Sequence, residues 1–527
     1  MNSTIWEKFY PALARDYILG RKKARSFFQF EPDMEGIVKC LHARNGTSVS
    51  QRLYTILKRQ NREHGASKKT MENIEHLKDP QCPVVITGQQ IGLFGGSLYV
   101  TFKICKAVHT AESLQTRIGR PVVPVFWTGT NDHDFEEIRN ISFVDDSGTL
   151  RTVSYSGEHT RNMSCGRIPV DTSIESVIDR CFEKMRDTEF TPEVRRILSE
   201  SYSEGSSLGS SFFKLAACLY SRMGIVILDP SDPEFVDLIR PVLMKECTEL
   251  ASVSPNLFAD AAESVSRLGY HVQVKPEQGR LHAFVSDKGV RKALFFRDGK
   301  VVDRQGNSVD VSRADLSTHV LSRNICQDLV FNTAAYIAGP GEISYCALLK
   351  KIYKAHGVVM PVILPRYMGT LVDKPIQRSL DALDIGPEHF ILKPKDRAVH
   401  EIFSSESDVD IDRLEKDLNK LADRFTGSVE KHLPVGKGSG SVSSLNKMIK
   451  SKLAMMIGNV RKLKKEQVSS VLHRASYASG MLLPGGKLQE RVVNILQFMN
   501  FYGGTGFIDT LSDLVRDSEE GHIVWKI

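Results

Sequence analysis

Residues 83–99 constrain this chain more than any other stretch. Pro83 opens a β-branched run, Val84-Val85-Ile86-Thr87, which ends in Gly88-Gln89-Gln90 and a glycine-rich loop from Gly92 to Gly96. Residues 98–118 then read as a helix. A strand, a glycine-rich loop and a helix in that order put backbone N–H groups and a helix N-terminus where they face a ligand. Gln89 and Gln90 add donors and acceptors without charge, which suits a site that orients a polar small molecule. An enzyme is therefore the first expectation.

The same texture recurs along the chain. Strand-like runs at 84–87, 121–128, 224–229, 334–338 and 358–364 alternate with helical stretches at 98–118, 211–223 and 343–356, which predicts a parallel sheet covered on both faces. Two stretches interrupt the alternation and read as β-rich insertions: 141–170, with a turn at Asp145-Asp146-Ser147-Gly148, and 272–311, with a turn at Arg297-Asp298-Gly299-Lys300. Beyond about 406 the apolar residues step by three and four. Ile411, Leu414, Leu418, Leu421 and Phe425 form one stripe, and Leu445, Ile449, Leu453, Met456, Val460 and Leu463 another, with a flexible linker at 433–440 between them. Two antiparallel helices make a coiled-coil arm, and such an arm buries little of itself, so a second copy of the chain is its expected partner. The expected organisation is a helical segment at 1–78, a core at 79–405 with insertions near 141–205 and 255–322, the arm at 406–480, and a segment at 481–527 that packs back on the core.

Composition mainly excludes. Seventy basic residues face 63 acidic ones, a net charge of +7 too balanced for a nucleic-acid binder. Arg21–Arg25 and Arg461–Lys465 read as solvated faces. No secretory signal and no membrane-length apolar run is read. Nine scattered cysteines without a Cys-x-x-Cys pair suit a reducing cytoplasm and no zinc site. Cys105 and His109, four apart on one helix, read as packing residues. There is no P-loop, no Gly-x-Gly-x-x-Gly and no Gly-x-Ser-x-Gly. Lys447-Met448-Ile449-Lys450-Ser451-Lys452 mimics a synthetase signature loop but sits in the heptad-like stretch and reads as helix.

Open parallel sheets bind ligands beyond the carboxyl ends of their strands. Here those exits are 87–90, 129–134, 229–232, 338–342 and 365–366. Asn131-Asp132-His133-Asp134 is the richest. His133 between carboxylates can be a general base, with Asp132 and Asp134 orienting it, holding Mg²⁺ or capping a helix. Gly339-Pro340-Gly341-Glu342 reads as a loop where backbone approaches a ligand and Glu342 meets an amine, or as a tight turn. Arg366 can grip a carboxylate bidentately, on a ligand or within the protein. Asp229 and Asp232 read as a turn. The expectation is that the glutamine exit and the His133 exit converge on one pocket.

These residues carry a resemblance. Thr87-Gly88-Gln89-Gln90-Ile91-Gly92-Leu93-Phe94-Gly95-Gly96-Ser97-Leu98-Tyr99 resembles the Thr-Gly-Gln-Gln-x-Gly-Leu-x-x-Gly-Pro-Leu-Tyr motif of the bacillithiol-synthesis cysteine-adding enzymes, the BshC family. The stretch from Pro124-Val125-Phe126-Trp127 to His133-Asp134-Phe135-Glu136-Glu137-Ile138 looks like its second motif. Gly339 to Tyr345 and Leu488-Gln489-Glu490-Arg491 are similar to two more, and the likeness spans nearly the whole chain. Ser97 stands where the family usually has Pro, and Asn131-Asp132 where Glu-Asp is commoner.

The resemblance implies a Rossmann-like α/β core with two connecting insertions and a C-terminal coiled-coil arm that dimerises. The implied activity joins L-cysteine to glucosaminyl-malate through an amide in the last step of bacillithiol synthesis. A carboxylate does not condense with an amine unaided, so ATP with Mg²⁺ is the expected activator, and no zinc is expected. The implied catalytic residues are His133, Asp132 and Asp134. The implied binding residues are Thr87, Gly88, Gln89, Gln90, Gly92, Leu93, Tyr99, Asn131, Gly339, Gly341, Glu342, Tyr345 and Arg366. The glycine-rich loop and the start of the 98–118 helix are expected to hold phosphate. The alternative is a non-catalytic nucleotide- or metabolite-binding dimer whose coiled coil recruits a partner.

Overall fold

A computed structural model of the chain describes residues 3–44, 49–157, 163–287, 290–393, 411–432 and 439–527. It divides into two compact units: Met1–Leu371 with Pro484–Trp525, and Val372–Leu483 with Lys526–Ile527.

Among the described residues the first unit starts with six helices between Ser3 and His76. Strand β1 (Val84–Gln89) then leads through the glycine-rich turn into helix α1 (Leu98–Ile118), which Gly119 ends in the left-handed conformation that glycine adopts without steric cost. Strand β2 (Val123–Thr128) follows, then the one-turn helix α2 (Phe135–Ile138) and the hairpin β3 (Asn140–Val144) and β4 (Leu150–Ser154). The first interruption is thus a hairpin followed by two helices, Ser173–Lys184 and Thr191–Ser201. Strand β5 (Val226–Leu228) returns the chain to the main sheet.

The second interruption is a four-stranded antiparallel sheet of β6 (Arg280–Asp287), β7 (Val290–Arg297), β8 (Lys300–Asp303) and β9 (Asp315–Thr318), in the order β8-β7-β6-β9. Asp298 and Gly299 both take positive φ between β7 and β8, as a two-residue hairpin turn of this twist requires. Helix α3 (Val320–Val330) and strand β10 (Thr333–Ala338) come next. The 343–356 region is two helices, α4 (Pro340–Cys346) and Lys350–His356, and strand β11 (Val362–Pro365) follows. Pro340 occupies the first helical position and the Glu342 carboxylate accepts from the Gly339 N–H at 2.6 Å, so this helix starts three residues earlier than the sequence reading placed it.

The main sheet has the order β11-β10-β1-β2-β5, and every pair is parallel. The chain steps from β1 to β2 on one side and places β10 on the other, so the strand order reverses at β1, where such sheets open a crevice at their carboxyl edge. Alternation along β1 assigns its two faces. Val84 and Ile86 pack with Val125, Trp127, Leu228, Leu53 and Phe235, whereas Val85 packs with Ala107, Ala111, Ile337, Leu364 and Ile37. Each fully buried aliphatic side chain contributes about 1.5–3 kcal/mol relative to exposure.

The second unit holds helices Lys374–Asp381 and Pro387–Leu392 and the pair Ile411–Lys431 and Ser439–Leu482. Arg461 pairs with Asp412 at 2.6 Å and Lys450 with Asp423 at 2.7 Å, which sets the antiparallel register. Residues 447–452 lie inside the longer helix, and the linker at 433–440 falls mostly outside the described residues. No described helix is long and apolar enough to cross a membrane.

Candidate active site

The carboxyl edge of the main sheet opens into a cavity of about 640 Å³, bordered by the ends of β1, β2 and β10 and by the inserted sheet. The glutamine exit and the His133 exit meet there. Gly129 N–H donates to Gln89 O at 2.7 Å, and the Gln90 amide donates to Asp132 and, at 3.0 Å, to Glu137. This contact needs glycine at 129, because a Cβ there would lie 2.8 Å from Gln90 Cα.

Of the residues singled out from sequence, Asp132, His133, Asn131, Gly88, Gln89, Gln90, Tyr99, Gly339, Gly341, Glu342, Tyr345 and Arg366 border the cavity. Four do not. Thr87 is fully buried and its hydroxyl donates to Ile337 O at 3.0 Å, bonding β1 to β10. Asp134 caps α2, accepting the Glu137 N–H at 3.1 Å. Leu93 is buried core, and Gly92 borders only a smaller cavity of about 60 Å³ beside Gln89 and Glu137. The 229–232 exit is also elsewhere: Asp229 accepts from Thr130, and Asp232 caps Pro233–Cys247 and pairs with Arg59 at 2.6 Å.

The glycine-rich turn holds protein instead of facing the large cavity. Leu98 N–H, at the start of α1, donates to Val493 O at 3.0 Å, and Ile495 N–H donates to Gly96 O at 3.0 Å. The Asn494 amide donates to Leu93 O at 2.9 Å. Phe94 at positive φ is buried edge-on against Tyr202. The first amide of the helix that sequence offered to phosphate is spent on the 489–495 segment, and two carbonyls of the turn accept from the same segment, a pairing invisible to local pattern.

Two charged residues from the sequence reading have partners within the protein. Arg366 grips Glu490 through both guanidinium nitrogens, at 2.6 and 2.8 Å, with 4% and 0% of the two side chains exposed. Glu342 pairs with Lys103, accepts from Tyr336 at 2.6 Å and so faces a lysine of its own chain. Burial works against its carboxylate, but Lys103 outweighs that and holds it below the ordinary range. Lys103 also donates to Gly88 O at 2.7 Å and Gln89 Oε1 at 3.0 Å, pinning the floor of the cavity.

Residues missed from sequence also border the cavity, among them Lys103, Trp127, Glu137, Arg291, His319, Arg323 and Arg491. Lys103 had a local signal, a cation in an otherwise apolar turn of α1. Arg291, His319 and Arg323 had none, because the inserted sheet and α3 reach the cavity only through tertiary structure.

The donor set fits a nucleotide-borne Mg²⁺, which takes one or two protein carboxylates together with phosphate oxygens and water. Asp132 and Glu137, joined through one amide nitrogen, are the two carboxylates that could serve such an ion here. Among the described residues no group of three or more His, Cys, Asp or Glu side chains is placed to share a metal ion. Both nitrogens of His109 are taken, by Tyr367 and Ser512 at 2.9 Å each.

The N-terminal Rossmann-like domain of bacillithiol biosynthesis BshC matches residues 3–367, and the C-terminal coiled-coil domain of BshC matches residues 369–527. A protein of Salinibacter ruber is 30% identical over 486 residues, covering 88% of this chain and 86% of its own. One from Carboxydothermus hydrogenoformans is 26% identical over 505 residues, covering 93% of each, and one from Bacillus cereus is 27% identical over 533 residues, covering 97% of each. All three bear the name "Putative cysteine ligase BshC".

Proposed function

The chain belongs to the BshC family of bacillithiol biosynthesis, and from that premise we propose that it is a ligase joining the carboxylate of L-cysteine to the amine of glucosaminyl-malate. The observation that carries this reading is the meeting of Gln90, Asp132, His133 and Glu137 at one cavity on the carboxyl edge of the sheet.

The residues divide the work. The sugar amine is protonated in water and must lose a proton before it attacks. His133 takes that proton at Nε2 when its Nδ1–H points to Asp132, 3.5 Å away. Asp132 and Glu137 would hold Mg²⁺. ATP, a co-substrate in this reading, supplies the leaving group that a free carboxylate lacks. Gln89, held by Lys103 and donating to Tyr99 OH at 2.9 Å, keeps a fixed polar edge toward the reactants.

The arm supports a homodimer. Leu421, Phe425, Met456 and Leu463 are each more than half exposed on the helix pair, a stripe that a second copy would cover. All nine cysteines are unpaired, which suits a reducing cytoplasm.

The test is purified protein with cysteine, glucosaminyl-malate, ATP and Mg²⁺, read by mass spectrometry. The amide product is expected, and AMP or ADP release identifies the phosphate that is cleaved. A folded dimer that binds these compounds and forms no amide would support the non-catalytic alternative.

A further inference from the structure

Residues 92–97 of the glycine-rich turn do not border the large cavity, so an anionic reactant held there must find its donors on other elements. Besides Arg491, the lysine and arginine side chains that border the cavity fall into two classes. Lys103 and Arg366 are neutralised by Glu342 and Glu490. Arg291 and Arg323 form no ion pair within 4 Å with a carboxylate among the described residues, although Asp132 and Glu342 stand close enough to act on them, and both are held in place by neutral groups. Arg291 donates to Ser317 Oγ at 3.2 Å and to Thr318 O, and lies 3.9 Å from the centre of the Phe284 ring. Burial lowers it to about 10, which leaves it cationic at neutral pH. Arg323 donates to Tyr336 OH at 2.7 Å, Gln327 Oε1 at 3.2 Å and Asn324 Oδ1, and stacks near Trp127. A fixed guanidinium that no carboxylate contacts directly keeps N–H groups for an anion and is a preorganised receptor.

His319 stands one helical turn before Arg323 and borders the same cavity. It caps α3: its Nδ1 accepts the Leu321 N–H at 3.4 Å, and its own N–H donates to Ser322 Oγ at 2.9 Å. A neutral imidazole that accepts at Nδ1 carries its hydrogen on Nε2. That Nε2 has no hydrogen-bond partner among the described residues. Burial, followed by the proximity of His282, Arg280 and Arg291 and opposed by Glu246, keeps the ring neutral, with its pKa pushed down to about 3. A neutral donor between two cations adds a directed hydrogen bond without further like-charge repulsion.

We propose that Arg291, Arg323 and the Nε2–H of His319 form an anion-binding wall that receives a carboxylate or phosphate group of the reactants. This deepens the ligase reading by assigning an anion-receiving part of its cavity, which adjoins the Gln90–Asp132–Glu137 group through His133.

Calorimetric titration of the purified full chain with malate, and separately with inorganic phosphate, tests it. At least one anion is expected to bind. R291Q is expected to weaken that anion roughly tenfold or more, the loss of a charge-assisted fork. H319N, which keeps a helix cap, should weaken it severalfold. Loss for malate alone assigns the wall to a carboxylate, and loss for phosphate alone to a phosphoryl group. If R291Q does not fold, R291K keeps the charge, loses the fork and should still bind severalfold more weakly. No binding by the wild type, or unchanged affinity in the folded Arg291 variants, overturns the wall. Nitrogen-15 spectra should show His319 as the Nε2–H tautomer down to about pH 5, and an imidazolium above that pH overturns its part. None of these measurements needs turnover, so a chain that binds the anion and makes no amide defeats the ligase reading alone.

Discussion

Arg291 Nη1 stands 3.3 Å from His133 Nδ1, and Asp132 Oδ1 stands 3.5 Å from the same nitrogen. The two neighbours favour opposite states. The guanidinium donates to an unprotonated Nδ1, which leaves the hydrogen on Nε2. The carboxylate accepts from a protonated Nδ1, which frees the Nε2 lone pair. His133 is therefore a base toward the cavity only in the state that Asp132 supports. H133Q and D132N are each expected to lower amide formation about 100-fold or more, with little change in melting temperature because both side chains are partly exposed. Product yield by mass spectrometry beside circular-dichroism melting checks this, and full activity in H133Q removes it from the mechanism.

Gly129 is where the two exits touch. A methyl group at that position would sit 2.8 Å from Gln90 Cα and 3.1 Å from Gln90 N, and neither atom can swing aside. G129A should cost about 1–3 kcal/mol and reduce turnover by separating Gln90 from Asp132. Urea unfolding gives the first quantity and product formation the second. A stable, fully active G129A would mean that the contact is not needed.

The Arg366–Glu490 pair is almost wholly sealed from water. Glu490 also accepts the Gly369 N–H at 2.9 Å, so it joins the C-terminal segment to the strand Met368–Val372 that follows β11. R366M leaves a buried carboxylate without its counter-charge and should destabilise by about 3–5 kcal/mol. The double variant R366M/E490Q should lose less than the sum of the two single losses, because the stranded charge is gone. Denaturant titrations of the four proteins give the coupling.

Acid should weaken the fold between about pH 6.5 and pH 4. Burial lowers His522 to about 4, with Glu490 opposing and Arg366 assisting, and lowers His109 to about 4. The unfolded histidines bind protons near pH 6.5 while the folded ones do not. The unfolded state therefore binds more protons in this window, and stability present above it is lost as pH falls. His522 alone is expected to contribute a slope of about 1.4 kcal/mol per pH unit there. H522Q should flatten that slope in urea titrations run across the window, and an unchanged slope would assign the acid sensitivity to other groups.

The exposed stripe on the helix pair carries the dimer expectation. L463D places a charge among residues a second copy would cover, and it should convert the dimer to a monomer in analytical ultracentrifugation. Anion binding in the first unit should be unchanged by it, since Leu463 belongs to the second unit. A wild-type monomer at micromolar concentration would refute the stripe as an interface.

Much of the architecture could be read directly from residue order. The run at Val84-Val85-Ile86, the helix ending at Gly119 and the three-and-four spacing from Ile411 and from Leu445 each record a short-range preference: β-branched side chains fit a pleat, glycine ends a helix, and a periodic stripe defines a face. Strand exits followed from the same patterns, which is why the exits that carry Gln90 and His133 could be expected at one pocket.

Charge compensation and the use of backbone donors could not be read that way. Sequence offered Arg366 and Glu342 as receptors for a ligand, but Glu490 and Lys103 reach them from 124 and 239 positions away in the chain. It offered the glycine-rich turn and the helix after it to phosphate, but the segment at 489–495 takes the Leu98 N–H and donates to the carbonyls of Leu93 and Gly96. It passed over Arg291, His319 and Arg323, whose importance lies only in what surrounds them. Local sterics and periodicity wrote the strands, the helices and the arm into the chain. The tertiary structure decided which polar groups were left open to the cavity, because an ion or hydrogen-bond donor is free or spent according to the neighbours that folding brings to it.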